Sequence, residues 1–206
     1  MAVLVIAEHD NAKLAPSTRS TVTAAVQLAS GPVHVLVAGL AAAPAAEEAS
    51  RLAGIEKVLL GDAEAYRHGL AEPLAALIVA LAADYDAVLA PASTFGKNLL
   101  PRAAALLDVA QISDIVAVAA PDTFVRPIYA GNALATVQSK DKLKLITVRS
   151  TAFAPAGEGA AAPVIPVAMV AVPELSGFVE RTLVKLDRPE LTAARVVVSG
   201  GRNKLI

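Results

Sequence analysis

Four short, largely apolar runs constrain this chain more than anything else in it: residues 2–7 (AVLVIA), 33–37 (VHVLV), 57–60 (KVLL) and 86–90 (DAVLA). Each has strand length and lacks the regular polar alternation of a half-solvated strand, so each must be buried on both faces. Helical segments lie between them. Residues 18–29 put Val22, Ala25, Val26 and Ala29 on one face, with Gly31 as a stop. Residues 45–53 end at Gly54, and residues 73–83 open on Pro73, a first-turn position where the missing N–H does no harm. Buried strands alternating with helices predict a doubly wound α/β unit, with a parallel sheet covered on both sides and right-handed crossovers.

The stretch 89–114 (LAPASTFGKNLLPRAAALLDVAQISD) joins a strand end to a turn and a long helix. Ser93 or Thr94 can cap that helix by accepting a bond from a free N–H, which places the turn at the carboxyl end of a strand, where open α/β sheets hold their ligands. Pro101 predicts that the regular helix either begins near it or bends there. Residues 115–119 read as a fifth strand. The pattern then changes: residues 124–128, 132–138 and 143–148 are short strands separated by Gly131-Asn132 and by Lys140-Asp141-Lys142, which predicts a small antiparallel element in the second half. Residues 154–163 read as flexible or extended, 178–186 as an exposed strand, and 191–201 as a strand ending in two glycines.

With 206 residues, 55% of them hydrophobic, the chain buries a substantial core without staples. A net charge of −1 gives no reason to expect nucleic acid or an anionic membrane as partner. Without cysteine, disulfides, thiolate catalysis and Cys-ligated metals are excluded. The positive mean hydropathy of +0.57 comes largely from alanine in helices interrupted by charges. The most apolar stretch, residues 160–172, is too short to cross about 30 Å of hydrocarbon and contains Pro163 and Pro166, so no transmembrane segment is expected. The opening MAVLVIAEHD lacks the features of a signal or transit peptide, and the simplest reading is a bacterial cytoplasmic protein.

Few residues suggest chemistry. Gly96-Lys97 is not a phosphate loop, because Pro91 and Asn98 stand where that motif requires a glycine and a Ser or Thr; a turn entering a helix is the better reading. Arg102, among small apolar neighbours, must find a carboxylate or backbone oxygens, and Asp108 and Asp114 are its expected partners in an internal ion pair. His9 reads as a solvated loop histidine, His34 as a strand residue and His68 as a loop residue; none has metal-ligand spacing. Glu47, Glu48 and Glu56 read as solvated. The tail Ser199-Gly200-Gly201-Arg202 would allow close backbone approach and a phosphate contact, but by itself reads as a plain turn.

The 89–114 stretch, together with residues 124–153 and 191–202, resembles the N-terminal domain of the alpha subunit of electron transfer flavoproteins. The resemblance implies a doubly wound, mostly parallel sheet of the adenine-nucleotide-alpha-hydrolase type over residues 1–188. It further implies that residues 189–206 are a linker and the truncated opening of an FAD-binding domain. In that family a Ser-Gly-Gly-Arg-Gly turn opens the second domain, so Ser199, Gly200, Gly201 and Arg202 are the implied cofactor-side residues. Asn203 to Ile206 depart from the pattern, and no FAD is expected on this chain by itself. The implied function is an electron carrier without substrate turnover. It is a heterodimer with a beta subunit that takes electrons from acyl-CoA and related dehydrogenases, as in fatty acid beta-oxidation, and passes them to a membrane quinone oxidoreductase. The beta subunits bind AMP through an Asn-Gln-Thr-Gly-containing loop; here residues 93–98 read STFGKN, which argues against AMP. A freestanding adenine-nucleotide-binding module is the alternative, separable by nucleotide binding without beta.

Overall fold

The computed structural model describes residues 1–172, 175–182, 194 and 196–200. Four strands, β1 (Val3–Ile6), β2 (Val33–Gly39), β3 (Lys57–Asp62) and β4 (Ala87–Pro91), alternate with three helices, α1 (Pro16–Leu28), α2 (Ala43–Ser50) and α3 (Ala71–Leu81). Their period of two sends side chains alternately to opposite faces. Val3 and Val5 of β1 join Val35, Val37 and Leu89 beneath Val22, Ala25 and Leu28 of α1 and Ala45 and Ala49 of α2. Leu4 and Ile6 join Leu36, Leu59 and Val88 beneath Leu74, Leu77 and Ile78 of α3. Both faces of the sheet are thus covered, which is why its strands are largely apolar. On α1 the buried stripe runs through Thr18, Thr21, Val22, Ala25 and Leu28; Val26, expected on it, is instead 43% exposed, with a methyl against Gly54.

α4 (Thr94–Leu106) follows β4 and packs Leu99, Leu100 and Ala103 on the same face as α3. Its regular structure begins at Thr94, not near Pro101, which is accommodated inside the helix. Ser93, at the N-cap, accepts from the backbone N–H of Gly96 at 3.4 Å. The strand expected at 115–119 is two strands: β5 (Gln111–Ile115) belongs to the main sheet and β6 (Ala117–Ala120) to a second one. β6, β7 (Thr123–Ile128) and β8 (Ala133–Gln138) make that three-stranded antiparallel sheet. The turn between β7 and β8 holds Tyr129, Ala130 and Gly131 at φ of 50°, 56° and 93°.

β9 (Lys144–Val148) departs from the antiparallel expectation. It pairs in parallel with β4 on one side and β5 on the other, so Lys140-Asp141-Lys142 is a crossover between sheets and not a hairpin turn. β10 (Val164–Pro166) pairs in parallel with β3, giving a wholly parallel seven-stranded sheet of order β10-β3-β2-β1-β4-β9-β5. The three-stranded sheet rests on the α1 side through Phe124, Val118 and Val137. No strand is present among the described residues of 178–186 and 191–201; the others of those spans lie outside the described residues.

Candidate functional site

Strand order reverses between β1 and β4, the position where open α/β sheets bind ligands outside their carboxyl ends. An open cleft of about 890 Å³ lies there, lined by the loop after β1, the start of α4, residues 66–69 and Phe178. Most of its polar groups are already engaged by the protein. Asn11, at φ 74°, accepts from the Leu40 N–H at 3.3 Å and donates to the Arg67 carbonyl at 3.2 Å. Its amide oxygen lies so near Gly39 that a Cβ there would stand 2.0 Å away, which is why position 39 has no side chain. Asp10 Oδ1 accepts from the N–H groups of Ala12 and Lys13 at 2.9 and 2.7 Å, and these bonds hold its carboxyl below the ordinary range.

His9 departs from the solvated reading. Half-buried, it accepts through Nδ1 from the Asn11 N–H at 3.0 Å, which fixes its tautomer. Burial lowers its pKa, while a bond to the Ala38 backbone and the carboxylates of Asp10 and Glu8 oppose the shift. Glu8 accepts from Ser17 Oγ at 2.8 Å, and Glu48, expected to be solvated, receives the Leu14 N–H and Arg19 at 2.9 and 3.1 Å. Across the cleft the His68 ring stacks on Phe178 with centroids 3.7 Å apart and planes within 6°.

The Gly96 and Lys97 amides at the start of α4 are not offered to a phosphate. Gly96 packs so closely on the end of β4 that a Cβ would lie 1.9 Å from the Pro91 carbonyl oxygen. Its N–H goes to Ser93 Oγ and that of Lys97 to the Ser93 carbonyl at 3.0 Å. Gly96-Lys97 is therefore a turn entering a helix, as its sequence predicts.

Ser199 and Gly200 are exposed and irregular, and nothing lies within 4 Å of a Cβ built on Gly200; Gly201 and Arg202 lie outside the described residues. Neither Ser199 nor Gly200 lines the cleft. An isoalloxazine needs an enclosing pocket and a pyrophosphate needs fixed donors, and the exposed Ser199 and Gly200 by themselves enclose neither. Among the described residues no group of three or more His, Asp or Glu side chains is placed to hold a metal ion, and no helix is long and apolar enough to cross a membrane.

Arg102 also departs from its expected pairing with Asp108 or Asp114. Asp114 pairs with Arg149, whose Nε donates to Oδ1 at 3.1 Å and whose terminal nitrogen makes a second contact with Oδ2. That pair holds the Asp114 carboxyl below its usual range. Asp108 ends α4 at φ 52° without an ion pair, and Arg102 Nε is buried with no hydrogen-bond partner among the described residues. Its charge reaches Glu72 only weakly, as the last of four influences on that carboxyl. Arg149 was missed because its pairing depends on β9 lying next to β5; residues 143–148 placed in a hairpin could not reveal it.

A sequence model of the electron transfer flavoprotein domain matches residues 3–173. The chain is 58% identical over 203 residues to the electron transfer flavoprotein subunit alpha of Pseudomonas aeruginosa, an alignment covering 98% of this chain and 65% of that protein. It is 58% identical over 202 residues to the corresponding subunit of Bradyrhizobium diazoefficiens, covering 98% and 64%. Against the mitochondrial alpha subunit of Dictyostelium discoideum it is 46% identical over 215 residues, covering 97% and 61%. The chain thus spans less than two thirds of the length of these relatives.

Proposed function

This chain belongs to the electron transfer flavoprotein family, and we propose that its residues 1–188 are the scaffold domain of an alpha subunit, docking the beta subunit of a heterodimeric electron carrier. The carrier as a whole moves electrons from acyl-CoA and related dehydrogenases to a quinone oxidoreductase, in the bacterial cytoplasm and without substrate turnover by this domain. Residues 189–206, with the Ser199-Gly200-Gly201-Arg202 turn, lead toward the part of the subunit that bears FAD.

One contrast supports the scaffold role: Glu8, His9, Asp10 and Asn11 at the switch-point cleft are engaged by the protein's own groups, while an apolar face elsewhere is left open. Phe124 and Val137 turn the inner face of the three-stranded sheet to the core. The alternate residues Val125, Pro127 and Leu134 therefore face outward, Leu134 with 66% exposure, and Tyr129 in the adjoining turn is 79% exposed. Apolar side chains gathered on one exposed sheet face fit the core of a subunit interface.

Co-purification with the beta subunit and hydrogen exchange with and without it test this reading. New protection over residues 123–138 on complex formation, and loss of beta binding in Leu134→Lys, are the expected results. Complex formation with unchanged protection there would place the interface elsewhere. Adenine-nucleotide binding by the chain alone, without affinity for beta, would replace the scaffold reading with that of a freestanding nucleotide module.

A further inference from the structure

Beyond β10 the chain stays at the carboxyl end of the sheet. The Val167 N–H donates to the Leu60 carbonyl at 2.9 Å, extending the pairing with β3, and the Val170 N–H donates to the Tyr66 hydroxyl at 3.4 Å. Farther on, Ser176 Oγ donates at 3.0 Å to the carboxylate of Glu72, in the first turn of α3. Two residues later Phe178 lies flat on His68, and both rings line the switch-point cleft. The turn that bears His68 is fixed: Tyr66 is buried, its carbonyl receives the Gly69 N–H at 3.1 Å, and the Arg67 carbonyl receives the Asn11 amide. The segment on the other side of the stack has no such support. Gly177 and residues 179–182 are exposed, and Phe178 is 41% exposed where its neighbour Val179 is 91% exposed, so the Phe178 ring is what attaches it.

A ring fastened to a cleft-lining side chain competes with anything else that would lie there. We propose that the His68 face in the cleft is a ring-binding subsite and that Phe178 is its resident occupant, carried by a latch of residues 175–182 that opens to admit a neutral planar ring. Centroids 3.7 Å apart and planes within 6° put the two rings in contact over their faces, a fit that a flat ring reproduces and a puckered one does not. The cleft lining carries both signs, Glu8 and Asp10 with Lys13, Arg67 and Arg181, and so selects no ion. The latch is weak by construction, because one stack and one hydrogen bond to a partly exposed carboxylate must offset the ordering of the whole segment. A closed state favoured by about tenfold lowers the apparent affinity of an incoming ring by the same factor. This inference concerns contacts within the chain and is independent of the outward face proposed to meet the beta subunit.

The test is NMR of the 206-residue chain with phenol and cyclohexanol, which share a six-carbon ring and a hydroxyl but differ in flatness. The Phe178 ring should shift the His68 ring protons upfield; Phe178→Ala should abolish that shift and Phe178→Tyr should keep it. Phenol should give saturable shifts at residues 66–69, binding about tenfold more tightly to Phe178→Ala than to the parent chain, and cyclohexanol should bind severalfold more weakly than phenol. His68→Leu added to Phe178→Ala should remove the phenol site; both side chains are exposed, so these variants leave the fold alone. Unshifted His68 protons in the parent chain, or no saturable phenol binding by Phe178→Ala, overturn the proposal. So does phenol affinity that is equal with and without Phe178, equal to that of cyclohexanol, or unchanged by the loss of His68.

Discussion

Replacing Gly96 by alanine sets two effects of opposite sign against each other. Within a helix, alanine is favoured over glycine by about 1 kcal/mol. Against this, the new methyl would lie 1.9 Å from the Pro91 carbonyl oxygen, where an ordinary carbon–oxygen contact needs about 3.3 Å. The strand end cannot yield, because Pro91 pairs with Val148 and the Ala92 N–H is bonded to the Val148 carbonyl at 2.7 Å. The first turn of α4 must move instead, which loosens the Ser93 cap and the packing of Leu99, Leu100 and Ala103. Overpacking costs about 1–3 kcal/mol and a lost cap about 1 kcal/mol, so the net destabilisation after the propensity gain is about 2 kcal/mol. For a chain of this size that lowers the melting temperature by roughly 4–8 °C. Thermal and urea melts of Gly96→Ala beside the parent chain give the answer. An unchanged or raised melting temperature would refute the close-packed account of this turn.

Arg149→Gln should cost about 1–2 kcal/mol near neutral pH, between the values for exposed and buried pairs, since the Arg149 side chain is 42% and that of Asp114 21% exposed. The Asp114 carboxyl is lowered from 3.8, so this contribution is present above that value and disappears as pH falls through the folded-state pKa; a gap between the two urea curves that persists in strong acid would contradict it. His9 and His34 are both lowered from 6.5, chiefly by burial, so the folded chain resists protonation more than the unfolded one and stability should fall as pH drops below 6.5; a flat urea midpoint between about pH 7.5 and pH 5 would argue against this. Tyr85, its pKa raised to about 12, stays neutral and bonds His34 Nδ1 at 2.8 Å; Tyr85→Phe should cost about 1–2 kcal/mol in a denaturant melt. Arg102→Leu should change stability by less than about 1 kcal/mol, because no carboxylate is orphaned; a loss of about 3 kcal/mol would reveal a partner for the guanidinium.

The sheet was legible wherever burial on both faces left an uninterrupted apolar run. Residues 2–7, 33–37, 57–60 and 86–90 all became parallel strands, with ends shifted by a residue or two. The cap at Ser93 was legible because hydroxyl chemistry and strand end coincide in sequence. Illegible was everything decided by spatial adjacency between distant segments. Residues 143–148 look alike as a hairpin strand or as an inserted parallel strand, and only the inserted position places Arg149 beside Asp114, so that Asp114 is not Arg102's partner. His9 read as solvated because its partners, Asn11 and the backbone of Ala38, are set by a loop geometry and not by spacing. A cavity beside Gln111 and Arg126 gave no local signal, since the residues that line it come from different sheets.

The placement of β9 also dictates an order of assembly. β4 and β5 are successive strands of the main sheet, yet they do not pair with each other; each gains its bonds on this side only when the chain has left the main sheet, built β6, β7 and β8, and returned as β9 to fill the space between them. A nascent chain ending before Lys144 therefore presents β4 with one bare edge and β5 with no partner, while the apolar faces of both are already made. Such long-range parallel pairing is slow and leaves sticky intermediates. The prime candidate for chaperone capture during synthesis is thus not the finished surface but the open slot beside β4. A chain truncated at Lys142 should bind hydrophobic dyes and aggregate, whereas one extended through Val148 should not; equal behaviour of the two would show that the slot closes without its strand.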